Sequence, residues 1–230
     1  MIGVRWGAVG AAAWLAPAPA AHVPLLARAC GLRRHTDQPG VLLTFDDGPH
    51  PQGTPRVLAE LDRVGARAVF FVVGEQVAAH PGLLEEIAAA GHELALHGER
   101  HRCLARLTPA ALRADLDRAA ARLGRPARLH RAPLGIYTPY ALAHVRRRGL
   151  TPLLWSAWGR DWRRRATPAS VAHDVLRAAA PGGVILLHDA DDYSAPGSWR
   201  ATTGALPRIL DGLAARGLAL ADPALSRPAP

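Results

Sequence analysis

From Val41 to Arg216 the chain alternates short apolar runs with longer amphipathic stretches, and this alternation limits the folds open to it more than any other feature. Val41 to Phe45, Ala68 to Val73, His92 to Ala95, Thr151 to Trp155 and Gly183 to Leu187 read as strands, being brief and apolar. Between them Thr54 to Val64, Pro81 to Ala90, Thr108 to Leu123, Tyr140 to Arg148, Thr167 to Ala179 and Thr203 to Arg216 read as helices. The clearest is Thr108 to Leu123, with Thr108 as N-cap, Pro109 at the first helical position and Leu112, Leu116 and Leu123 on one stripe. Repeated strand and helix units build a parallel sheet with helices outside, either open or closed into a barrel; the strand pattern does not separate the two. At 230 residues and 49% hydrophobic content, one domain with a large core is expected.

Residues 1–40 have a different texture. Arg5 precedes an apolar stretch from Trp6 to Leu15, followed by Ala16-Pro17-Ala18-Pro19-Ala20-Ala21, as in a signal peptide, an uncleaved membrane-associating segment or a packed N-terminal extension, and Thr36-Asp37-Gln38-Pro39-Gly40 is a turn-rich linker. The expectation is an extracytoplasmic or membrane-associated protein with its functional domain at 41–222 and a tail at 223–230. The stretch is too short and Pro-interrupted to read as a spanning helix. The formal charge of +9 would suggest nucleic acid, but every basic residue is Arg in a chain crowded with Ala, Gly and Pro. Arg146-Arg147-Arg148 and Arg163-Arg164-Arg165 therefore read as solvated faces, and no nucleic-acid partner is expected. Cys30 and Cys103 form no Cys-x-x-Cys unit, so neither a disulfide framework nor a thiolate metal site is indicated.

The polar residues at the strand ends carry the chemistry. Asp46 and Asp47 follow a buried-type strand directly; two adjacent carboxylates there repel and lose hydration unless a cation, an arginine or a shared proton compensates them. In isolation Asp46-Asp47-Gly48-Pro49 is an ordinary turn, and His97-x-x-x-His101 alone is a weak signal. Together they supply two imidazoles and a carboxylate, a three-ligand divalent site with open positions. Arg131 and His188 also lie at or just past strand C-termini, where barrels and open α/β sheets place their sites. Residue types alone leave open which aspartate binds metal and which transfers protons.

Thr44-Phe45-Asp46-Asp47-Gly48-Pro49, His97 to His101, Arg131-Ala132-Pro133, Asp161-Trp162 and Leu186-Leu187-His188 resemble, in order, the motifs of the polysaccharide deacetylases, the NodB-homology carbohydrate esterases of family 4. The resemblance covers roughly Val41 to Leu220. It implies a single α/β domain with a distorted (β/α) barrel, and metal-dependent removal of acetyl groups from sugars. By the resemblance, Asp47, His97 and His101 would hold the metal and Asp46 would be the general base. Arg131 would orient and charge-balance Asp46, and His188 would be the general acid with Asp161 tuning it. Trp162 and Leu186 would form the slot for the acetyl methyl, and the backbone after Pro133, at Leu134, would help stabilise the oxyanion. The ligand set suits Zn²⁺, with Co²⁺, Mn²⁺ and Ni²⁺ open. The expected partner is an acetylated glycan: peptidoglycan, chitin-like or lipid-linked.

Two positions depart from the family pattern. Gly98 stands where Ser or Thr is usual, losing a hydroxyl that could brace the loop, and Leu134 replaces an aromatic. Glu99 reads as solvent-facing, and His50 and Cys103 as structural. The segment from Asp189 to Trp199 reads either as an acidic, aromatic rim for sugar hydroxyls or as the loop before the last helix, with Ser198 as N-cap. The alternatives are an amidohydrolase or deformylase on a small or lipid-linked amide, and a catalytically idle glycan-binding module.

Overall fold

The computed structural model describes residues 23–223. The expected signal-like segment up to residue 22 and the tail from 224 lie outside the described residues. Seven strands are found among them: β1 (Leu42–Asp46), β2 (Val69–Val72), β3 (Glu93–Leu96), β4 (Leu129–His130), β5 (Thr151–Pro152), β6 (Ala157–Trp158) and β7 (Val184–His188). The helices are α1 (Pro24–Ala29), α2 (Gly53–Asp62), α3 (Gly74–Ala79), α4 (Pro81–Ala89), α5 (Pro109–Leu123), α6 (Pro139–Arg147), α7 (Pro168–Ala178) and α8 (Trp199–Ala215). No helix among the described residues is long and apolar enough to cross a membrane.

All strand pairs are parallel, in the order β5-β4-β3-β2-β1-β7-β6. The two edge strands are consecutive in the chain, with only residues 153–156 between them. So short a connection spans roughly 17 Å at most. The sheet must therefore curl until its edges approach, giving a distorted, incompletely closed barrel with helices outside. β1 and β2 are buried along their whole length, which is why they read as continuous apolar runs rather than alternating ones.

Three helices start in the same way. Thr108, Thr138 and Thr167 each accept a hydrogen bond from the backbone N–H three residues on, and each is followed by Pro at the first helical position. At the other end of α5, Gly124 takes a left-handed φ of 66° as its C-cap. The last helix begins earlier than expected, at Trp199. Ser198 holds its N-cap position, but its hydroxyl pairs with Ser194 Oγ at 2.8 Å instead of capping.

The expected strand from Thr151 to Trp155 is not continuous. Pro152 has no N–H for the ladder, and the carbonyls of Leu153 and Leu154 accept from the Arg131 guanidinium at 2.9 and 3.1 Å. The chain therefore leaves β4 after two paired residues and crosses to β7 as β6.

Candidate active site

Side chains of neighbouring strand residues normally point to opposite faces, yet Asp46, which ends β1, and Asp47 both line one cavity. The backbone explains this: Asp47 has φ +80°, outside the strand region, which breaks the alternation. A left-handed conformation costs a non-glycine residue about 1–2 kcal/mol, so the surrounding fold must hold it. Both carboxylates are buried. Asp46 Oδ1 accepts from Arg131 Nη1 at 2.6 Å, and its Oδ2 lies 3.8 Å from His97 Nε2. Arg131 is itself wholly buried. Besides the Leu153 and Leu154 carbonyls it donates to Thr44 Oγ1 at 2.9 Å, and its guanidinium stacks 4.0 Å above the Phe71 ring.

Asp47 faces two imidazoles. Its Oδ1 lies 3.4 Å from His97 Nε2 and 3.4 Å from His101 Nε2, and all three atoms fall within 4.8 Å of one another. His97 Nδ1 is 2.8 Å from the Arg131 carbonyl oxygen, which can only accept, so Nδ1 carries the proton and the Nε2 lone pair faces Asp47. Asp47 Oδ1 is buried without a hydrogen-bond partner. An orphaned carboxylate oxygen beside two convergent imidazole Nε2 atoms is a donor set matched to a divalent cation, so the residues fit the metal that the sequence motifs imply. Burial pushes the Asp47 carboxyl up, but the neighbouring imidazoles, His97 first, outweigh it and bring it down to about 2. Burial drives His101 below the ordinary imidazole value. Both shifts favour the ligating, proton-free forms.

His188, at the end of β7, sits on the same cavity. Its Nδ1 is 2.9 Å from Asp161 Oδ1, while its backbone N–H and the Thr202 hydroxyl both donate to Asp161 Oδ2 at 2.7 Å. Burial alone would lower this imidazole. The charge of Asp161 and its hydrogen bond, joined by Asp47 and Asp46, instead raise it to about 10, so it is protonated at neutral pH. Trp162 meets it edge-on at 5.6 Å.

The cavity has a volume of about 360 Å³. Trp155, Trp158, Trp162 and Leu186 make its apolar wall, and the three indoles succeed one another at centroid spacings of 5.7 and 5.0 Å. Leu134 also lines it, 57% exposed and with φ +62° inside the turn Pro133–Gly135. Pro133 is buried and does not line the cavity; it starts that turn. Arg131 and Asp161 stand behind the lining, each bonded to a residue that reaches it.

Several participants were not anticipated. Asp115, on α5, is buried; its Oδ2 accepts from Glu99 N at 2.9 Å and its Oδ1 from Arg102 Nη2 at 2.7 Å, bracing the loop between the two histidines. The signal was present in the sequence, since Asp115 falls among Leu112, Leu116 and Ala119 on the apolar stripe of its helix. Glu99 is not solvent-facing: it is buried, its carboxylate packed over Gly74, where a Cβ would collide with it. Asp189, next to His188, is buried with Oδ1 unpartnered, and burial raises it to about 7 although Thr54 Oγ1 donates to Oδ2 at 2.5 Å. Tyr193 and Ser194, from the segment read either as an acidic, aromatic rim or as the loop before the last helix, also line the cavity.

His50, Asp191 and Asp192 form a second cluster of possible ligand atoms. His50 Nδ1 accepts from the backbone N–H groups of Gln52 and Gly53 at 3.2 and 3.0 Å, which places its proton on Nε2, 3.3 Å from Asp191 Oδ1. A protonated nitrogen cannot ligate, so this histidine is structural, fastening the turn after Asp47 to the loop after His188.

The family pattern described as Polysaccharide deacetylase matches residues 33–153, just over half of the chain. A chitooligosaccharide deacetylase of Bradyrhizobium sp. (strain ANU 289) is 41% identical over 192 residues, covering 81% of this chain and 84% of the relative. A peptidoglycan-N-acetylglucosamine deacetylase of Bacillus cereus is 30% identical over 182 residues, covering 77% and 83%. Among solved structures, the family 4 carbohydrate esterase from Streptomyces lividans in complex with acetate superposes with a TM-score of 0.71 at 29% identity, covering 84% of this chain and 98% of that one.

Proposed function

The chain belongs to the polysaccharide deacetylase family, and from that premise we propose that it hydrolyses the N-acetyl group of an N-acetylglucosamine oligosaccharide, a chitooligosaccharide first, with Asp47, His97 and His101 holding a divalent cation, Zn²⁺ first. The observation that carries this reading is the buried, unpartnered Asp47 Oδ1 facing two imidazole Nε2 atoms at 3.4 Å. When bound, a cation there supplies Lewis acidity, polarising the amide carbonyl and making water acidic enough to lose a proton near neutral pH.

The protein's own groups do the rest. Asp46, held by Arg131, takes one proton from the attacking water as its oxygen forms the new bond to the acetyl carbon. The backbone N–H at Leu134 is the candidate donor to the oxyanion, and one such donor lowers the barrier by about 3 kcal/mol. Amine leaves poorly as an anion. His188, kept protonated by Asp161, gives its proton to the nitrogen as the C–N bond breaks, releasing acetate and a free amine. Trp162 and Leu186 enclose the methyl, with Trp155 and Trp158 extending the same apolar wall. The signal-like start of the sequence supports an extracytoplasmic place of action.

The test is acetate release from chitooligosaccharides and peptidoglycan fragments by metal-stripped protein, restoring one cation at a time. Acetate appearing only with cation, and fastest on chitooligosaccharide, is the expected result. Formate or ammonia as product, or acetate release from fully stripped protein, would overturn the reading.

A further inference from the structure

The two histidines of the proposed cation site are held in different ways. His97 is fixed by its Nδ1 hydrogen bond to the Arg131 carbonyl. No such bond orients the His101 ring among the described residues, and His101 lies outside regular secondary structure. What contacts its face is Tyr193, stacked with ring centroids 4.6 Å apart and planes 15° from parallel. We propose that Tyr193 is a positioning residue for the cation: its ring takes the place of the missing hydrogen bond in aiming His101 at Asp47. This rests on the reading of the site given above.

The stack is anchored at both ends. The Tyr193 hydroxyl donates to Glu75 Oε1 at 2.6 Å and accepts from Gln76 Nε2 at 3.2 Å, both on α3. The start of α3 in turn grips the histidine loop, because Gly74 N and Glu75 N donate to the carbonyls of Gly98 and Glu99, each at 2.9 Å. A closed circuit results, running from His101 through the stack to Tyr193, through its hydroxyl to α3, and through two backbone bonds to the loop that carries His101. The loop bearing Tyr193 is held independently by Asp191 on His50, by Ser194 on Ser198 and by Ala195 N on the Trp162 carbonyl at 3.2 Å. A ring seated on a loop that is held independently of its hydroxyl can keep an imidazole flat against it, and the hydroxyl bonds add a second, smaller anchor. Rotation of His101 would move Nε2 off the point shared with His97 and Asp47. Ligand orientation by such outer partners typically contributes 10–100-fold in metal affinity.

The test is chelator competition for Co²⁺ and Zn²⁺ on the metal-stripped full chain, comparing wild type with Tyr193→Phe, Tyr193→Ala, Tyr193→Leu and His97→Ala, together with the visible spectrum of the Co²⁺ forms. Thermal melting without metal checks that each variant folds. Tyr193→Phe keeps the stack and is expected to bind within about 3-fold of wild type with an unchanged Co²⁺ spectrum. Tyr193→Ala and Tyr193→Leu are expected to bind about 10–100-fold more weakly with an altered spectrum. The leucine variant carries the comparison should the alanine form not fold. Wild-type affinity in both Ala and Leu forms, or an equal loss in the Phe form, would overturn the role of the stack while leaving the site intact. Unimpaired binding by His97→Ala would instead overturn the cation site itself.

Discussion

Asp46 with Arg131 and His188 with Asp161 are both carboxylate–cation pairs, yet each turns a different partner to the cavity. In the first the carboxylate lines the cavity and the guanidinium behind it has no exposed side-chain surface. In the second the imidazole lines it and the carboxylate has none. Each hidden partner is fastened by further bonds, Arg131 by Thr44 and two backbone carbonyls, Asp161 by Thr202 and the His188 backbone N–H. The buried Asp161 carboxylate favours the charged form of the imidazole in front of it, while the buried Arg131 orients Asp46 through its hydrogen bond. One site can therefore present a proton acceptor and a proton donor side by side at the same pH, and which partner faces the cavity decides which is which.

Neutralising the acceptor should have the largest effect. Asp46→Asn keeps size and can still accept from Arg131, and it is expected to lower kcat about 10⁴-fold, the upper end for a general base, while equilibrium dialysis shows the cation still bound. Turnover within tenfold of wild type would remove Asp46 from the role. On the donor side, His188→Asn is expected to cost about 10²–10³-fold on the amide but less than about tenfold on an aryl acetate, whose leaving group departs without a proton. Equal losses on both substrates would mean that His188 does something other than protonate the amine.

A smaller effect sharpens the difference between front and rear partners. Asp161→Asn removes the main charge holding the proton on His188, so the imidazole should fall from about 10 toward its ordinary value near 6.5. In the proposed mechanism activity needs this proton. The alkaline limb of kcat/KM should therefore move toward neutral, with the rate at pH 6 changed little, and an unmoved limb would contradict the assignment. The stability linkage has the same sign: because the folded state holds the proton more tightly, the pair's stabilisation is full below about pH 6.5 and is lost as pH rises through about 10. Asp47 runs the other way. Its depressed value gives stability present above its ordinary 3.8 and lost as pH falls through about 2.

The front partners were legible in the sequence because each ends an apolar strand or belongs to one short run, and strand ends converge in this class of fold. Arg131 shared the strand-end signal, but its place behind Asp46, like the pairing of Asp161 with His188, was legible only through the order of the motifs. The parallel sheet followed from the alternation, whereas its curled, incompletely closed form depended on the broken strand after Thr151. That break arises from Arg131 capturing two carbonyls from another part of the chain, which local pattern does not report. Glu99 was misread for a similar reason: charge suggests solvent, but the loop folds back over Gly74 and buries it. Tyr193 belongs to the segment read as an aromatic rim, but its stack on His101 gave no signal, since its contacts with His101, Glu75 and Gln76 join residues 92 to 118 apart in sequence.

The smallest predicted effect concerns Gly98, whose missing hydroxyl looked like a weakness. Gly98 has φ +91°, and a Cβ there would meet Asp115 Oδ2 at 3.1 Å and the Arg100 carbonyl at 3.2 Å. The bracing of a hydroxyl is replaced from outside the motif, by Asp115 binding Glu99 N and Arg102. Restoring the usual residue should therefore harm the protein: Gly98→Ser is expected to cost about 1–2 kcal/mol of stability, read as a Tm lower by several degrees. Because the loop carries the proposed cation ligands and neither proposed proton-transfer pair, any loss of rate should fall equally on the amide and the aryl acetate, unlike the loss in His188→Asn. A raised Tm would show that the loop prefers its own hydroxyl to Asp115. Unequal losses on the two substrates would show that the histidine loop bears on the donor pair as well as on the cation.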